Sequence, residues 1–123
     1  MGRFMTETDQ MSRANLIVEV ALDRKALELV ALDVSKLTSV ADTFILATGT
    51  SDRHARAITD SIVETLRERG EKPLGIEGYD EGRWVLIDLG DVVVHVFQAD
   101  VRAQYDLERL WSDAPALEIG AAA

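Results

Sequence analysis

Cysteine is absent from this chain of 123 residues. That excludes disulfides, thiolate metal sites and a cysteine nucleophile, and leaves packing to supply stability. No apolar run approaches the roughly 20 residues needed to span a bilayer. The opening segment, Met1 to Asn15, is polar and mixed in charge, without the apolar stretch of a signal peptide; no membrane role and a cytoplasmic location are expected. Positive charge is also scarce, with 13 basic against 22 acidic residues and a formal charge of -9. Such a balance repels nucleic-acid phosphates and favours basic protein surfaces, so direct nucleic-acid reading is not expected; alternatively, it only keeps the protein soluble. No G-x-S-x-G, no H-E-x-x-H and no pair of convergent carboxylates is present, which leaves hydrolase chemistry without supporting residues.

What is present suits one folded domain. Hydrophobic residues make up 47% of the chain and charged residues 28%, enough for one core in a soluble α/β protein. Met1 to Met11 reads as a flexible leader, 12–111 as the domain, and Ser112 to Ala123, with Pro115 and three closing alanines, as a flexible tail. A helix is expected over about Ala14 to Lys25 with Ser12 as its cap. Apolar runs at Leu29 to Val34 and Thr43 to Thr48 have strand length. The plainest helix spans Asp52 to Arg69, where Ala55, Ile58, Thr59, Ile62 and Leu66 form one stripe; Gly70 ends it and Pro73 prevents its resumption. A short strand near Leu74 to Glu77 precedes a hairpin, Trp84 to Leu89 and Val92 to Gln98, turned at Gly90-Asp91. Asp100 then caps a last helix reaching Leu110 or Trp111. The order describes a mixed sheet of about five strands with helices packed on it.

Several residues could carry chemistry or contacts. Thr48-Gly49-Thr50-Ser51 joins a strand to a helix start, where backbone N–H groups can hold an anion; it lacks the lysine and full glycine spacing of a phosphate loop, and a plain strand-to-helix turn with hydroxyl capping is the better explanation. His54, His95, Asp33, Asp42, Asp88 and Asp91 are the candidates for metal or acid/base work, and they do not cluster along the chain. His95 lies in an apolar strand and reads as buried with one hydrogen-bond partner, and His54 as part of a solvated helix face. Asp88 and Asp91 bracket the hairpin turn, where they either accept turn N–H groups or meet a partner. In the last helix Ala103, Leu107 and Leu110 form one apolar stripe while Val101 and Tyr105 point nearly opposite. With Trp111 and Trp84, the surplus aromatic points to an interface patch, or else closes over a small core.

Four segments read together resemble one family: Asp42 to Ser51 (DTFILATGTS), Pro73 to Gly78 (PLGIEG), Trp84 to Phe97 (WVLIDLGDVVVHVF) and Tyr105 to Trp111 (YDLERLW). In this order they resemble the Iojap-type ribosomal silencing factors, and the match spans most of the chain. The resemblance implies a nucleotidyltransferase-like α/β core without catalytic residues, no enzyme activity, no cofactor and no metal. It further implies binding to the large ribosomal subunit through ribosomal protein L fourteen, which blocks subunit joining and represses translation. By motif position the partner surface falls on Trp84, Asp88, Asp91, His95, Tyr105, Leu110 and Trp111. A true nucleotidyltransferase would follow its Gly-Ser turn with an Asp-x-Asp pair for magnesium; here Gly49-Thr50-Ser51 is followed by Asp52 and Asp60. Two alternatives remain at this point: a nucleotide-handling enzyme using Thr48 to Ser51, and an oligomerisation module. A homodimer fits the first reading if it leaves the ribosomal surface open.

Overall fold

The computed structural model describes residues 7–117, with side chains from residue 13. It is a mixed α/β domain: α1 (Glu7–Asp23), β1 (Leu27–Asp33), β2 (Thr43–Gly49), α2 (Asp52–Glu68), β3 (Gly75–Glu77), β4 (Trp84–Asp88), β5 (Val92–Gln98), α3 (Ala99–Tyr105) and α4 (Leu107–Leu110). The five strands lie in the order β1-β2-β5-β4-β3. Among the described residues only the β2–β5 pair is parallel; Phe44 stands beside Val93 and Leu46 beside His95. The expected hairpin pairs Trp84 with Phe97 and Asp88 with Val93, and Gly90 makes its turn at φ 90°, a backbone setting that glycine reaches without strain.

The sheet has two unlike faces. One is roofed by α1 and α2, whose Ala14, Ile17, Val18, Ala55, Ile58 and Ile62 pack on Ile45, Ala47, Val85, Ile87, Val94 and Val96. As the stripe predicts, Ala55, Ile58, Thr59, Ile62 and Leu66 are the buried residues of α2. That helix starts at Ser51, whose hydroxyl accepts the His54 N–H. It ends in paired bonds, Gly70 N–H to Arg67 and Glu71 N–H to Leu66, with Gly70 at φ 84°, the αL glycine termination. The other face holds Leu32, Val34, Phe44, Leu46, Val93 and Phe97. Its helical cover is slight: α3 and α4 have 7 and 4 residues, against 17 in each of α1 and α2.

Four expectations change. Ser12 lies inside α1, which begins at Glu7, so residues 7–11 of the expected leader are helical, while 1–6 lie outside the described residues. The single last helix is two, broken at Asp106 in the left-handed region, φ 46° and ψ 56°; its backbone still serves both, donating to Arg102 and accepting from Arg109 and Leu110. Asp100 sits in the first turn of α3 while Gln98 holds the cap position. Of the expected tail, 118–123 lie outside the described residues. Residues 112–117 run back along β1, with Asp33 N–H bonded to the Pro115 carbonyl and Leu117 N–H to that of Ala31.

Candidate partner-binding face

The lightly covered face of the sheet carries a continuous row of rings. Tyr105 and Trp84 stand 4.8 Å apart between centroids, Trp84 and His95 6.0 Å, His95 and Phe44 5.1 Å, and Phe44 and Trp111 5.2 Å. Phe97 lies beneath, 5.7 Å from Trp84. The tilted and edge-on pairings favour such rings over flat stacking. Strand alternation assembles the row: Trp84 and Leu86 share a face of β4, His95 and Phe97 the same face of β5, and Phe44 the same face of β2. The break at Asp106 then turns Leu107 and Trp111 onto this face. Tyr105 remains 53% exposed and Leu110 70%; Trp84 and Trp111 are half-buried.

The expected stripe Ala103, Leu107, Leu110 is not the buried side. Val101 and Arg102 are the buried residues of α3, and Ala103 and Leu110 face solvent. Arg102 is the organiser that sequence reasoning missed. Its guanidinium donates two bonds to the Glu108 carboxylate at 2.9 and 3.1 Å, one to the Glu28 carbonyl at 2.7 Å and one to the Thr48 hydroxyl at 2.9 Å, and it lies over the Phe97 ring at 5.6 Å. One side chain thus ties α3, α4, β1 and β2 together behind the ring row. Its hydrogen bonds hold the Glu108 carboxyl below the usual carboxylate range.

His95 is buried, as its apolar strand implied, with one partner: the Trp84 indole N–H donates to Nδ1 at 3.1 Å. Accepting at Nδ1 places the proton of the neutral ring on Nε2. Burial pushes the imidazole down to about 4, because charging it in this apolar setting forfeits hydration.

The two aspartates diverge. Asp88 accepts the Gly90 N–H at 2.9 Å, a turn contact, at the end of the β4 face that bears Trp84. Asp91 accepts no turn N–H; it pairs with Arg13 of α1, which also reaches Glu71 at 3.0 Å. The structure therefore gathers Trp84, His95, Tyr105 and Trp111, sets Leu110 and Asp88 at their margins, and commits Asp91 to a helix contact. Phe44 is the further member of the row. Its cue was the alternation of Phe44 and Leu46, hidden because every residue of β2 is buried.

The Thr48 to Ser51 turn is closed on itself. Thr50 N–H donates to His54 Nδ1 at 2.8 Å, Ser51 caps His54, and Ala55 N–H bonds to the Ser51 carbonyl. His54, expected on a solvated helix face, is instead a clasp whose Nε2 lies 2.6 Å from the Arg24 carbonyl. Among the described residues no group of three or more His, Asp or Glu is placed to hold a metal, and no helix is long and apolar enough to cross a membrane.

Fold and face together define a small mixed α/β domain that displays an aromatic surface. The family model described as "Ribosomal silencing factor during starvation" matches residues 7–123. The ribosomal silencing factor of Halalkalibacterium halodurans is 45% identical over 104 residues, 85% of this chain and 89% of that protein. A crystal structure of a Chromobacterium violaceum protein superposes with a TM-score of 0.80 at 42% identity, covering 95% of this chain and 97% of the other. A mouse protein named "Mitochondrial assembly of ribosomal large subunit protein 1" is 29% identical over 101 residues, 80% of this chain and 44% of its own. The chain belongs to the ribosomal silencing factor family.

Proposed function

We propose that this protein represses translation in the cytoplasm as a non-catalytic obstacle. It binds ribosomal protein L fourteen on the large subunit and occupies the space that the small subunit needs. The ring row carries this reading: a half-open aromatic surface, on a chain of formal charge -9, suits a basic protein neighbour, with rings as anchors and charge steering the encounter. The mouse relative's name points to the same subunit. The competing nucleotide reading loses part of its support, because the N–H groups of Thr50 and His54 are already bonded within the turn.

The test is co-sedimentation with purified large subunits, followed by addition of small subunits. The unaltered protein should travel with large subunits and lower the yield of joined ribosomes. Tyr105→Ala, which removes an exposed ring, should weaken association roughly 30-fold, as anchor residues do. Association that survives loss of both Tyr105 and Trp111, in a protein that remains folded, rules out this face.

A further inference from the structure

The sheet is unfinished on the side away from the ring row. Among the described residues, strand β3 closes the order at one edge and pairs with β4 alone, and its three residues are exposed, so its outer backbone groups are open to another strand. Ile76 pairs with Ile87, which places its side chain on the α1–α2 side, yet 39% of it remains exposed. Helix α2 runs beside the edge strand and leaves a groove of about 750 Å³ between them.

The walls of this groove have a regular chemistry. Asp60, Glu64 and Glu68 line it at four-residue intervals along α2, and Val63 and Ile76 supply its apolar part. Arg67 is the one cation among its lining residues. The Tyr79 hydroxyl closes one end by donating to both oxygens of Asp60 at 2.8 and 3.0 Å. Among the described residues, Glu64 and Glu68 have no ion-pair partner. Four residues of helix advance about 6 Å, and two residues of strand about 6.6 Å. Alternate side chains of an extended chain laid on β3 therefore keep step with the carboxylates.

We propose that this groove receives an extended basic segment of a partner protein, which adds to β3 as a sixth strand. Its backbone pairs with the free edge, its lysine or arginine side chains reach Asp60, Glu64 and Glu68, and an apolar residue covers Val63 and Ile76. A second copy of this chain is a poor occupant, because pairing β3 with β3 would bring two carboxylate rows and two Glu77 side chains together on molecules that already repel. The inference stands apart from the ring row and does not depend on it.

The probe is a seven-residue capped peptide of the pattern Lys-Thr-Lys-Thr-Lys-Thr-Val, with its three lysines on successive positions of one face, and a counterpart carrying glutamate at each lysine. Binding is followed by fluorescence polarisation, and amide exchange at Gly75, Ile76 and Glu77 by NMR. The basic peptide should bind, slow exchange at the outward-pointing amides of β3, and lose about tenfold in affinity with the surface double variant Glu64→Lys/Glu68→Lys. The acidic peptide should not bind, and Trp84→Ala should leave binding of the basic one unchanged. Absence of binding, binding without edge protection, or binding lost with Trp84→Ala would overturn the proposal. So would light scattering that shows a dimer abolished by Ile76→Lys, since the groove would then be filled by a second copy.

Discussion

Acid should weaken this fold through His95 before general carboxylate protonation does so. In the folded protein burial brings the imidazole from its ordinary 6.5 to about 4, while the unfolded chain keeps the ordinary value. The unfolded state therefore binds more protons between these limits, and stability rises with pH across that window. The contribution is intact above pH 6.5, falls as pH drops towards 4, and is constant below that. The stability lost is about 2 kcal/mol at pH 5 and roughly 3 kcal/mol below pH 4. Geometry adds to the cost, because a proton on Nδ1 would meet the Trp84 indole N–H that now donates to it. Urea unfolding at pH 7.5 and at pH 5, on the natural chain and on His95→Gln, separates this group from the carboxylates. The natural chain should lose about 2 kcal/mol more than the variant between the two conditions, and an NMR titration should leave the His95 ring neutral at pH 5. Equal losses in both proteins, or a ring that titrates near 6.5, would refute the reasoning.

Two further perturbations probe the scaffold behind the rings. Arg102→Met should cost about 3 kcal/mol in urea unfolding, since it strands a carbonyl and a hydroxyl that the guanidinium now satisfies. Glu108→Gln should cost less than about 1 kcal/mol, because that carboxylate is 42% exposed and regains water. Gly78→Ala should destabilise by roughly 2–4 kcal/mol, because Gly78 has φ 75° and a methyl there collides with the Trp84 carbonyl; the drop in thermal midpoint measures it.

Much of this molecule was legible where one local pattern decided the outcome. Helix α2 combined an apolar stripe, a hydroxyl cap and a terminal glycine, and its limits, Asp52–Glu68, lie within a residue of those expected. The β4–β5 hairpin was marked by Gly90, and its antiparallel pairing was found. The ring row was legible in part: Trp84, Tyr105 and Trp111 stood out as surplus aromatics, and they lie on one face. What was hidden depended on distant partners. Arg13 and Asp91 are 78 positions apart, so nothing near the hairpin announced that Asp91 would be taken. Arg102 looked like any charged residue on a helix, and its burial follows from Glu28 and Thr48 arriving from other strands. The left-handed turn at Asp106 needs only a residue that tolerates it, which aspartate does, so a sequence window shows one helix where the chain builds two.

The proposed function sets the Tyr105 side of the sheet against the large subunit. The most direct measurement replaces Tyr105 with a photoreactive benzoylphenylalanine, irradiates the protein with purified large subunits, and identifies the attached component by mass spectrometry. One dominant adduct, with ribosomal protein L fourteen, is expected, and it should disappear when Trp84→Ala is introduced alongside. Adducts confined to ribosomal RNA, adducts with a different ribosomal protein, or an adduct indifferent to Trp84 would contradict it.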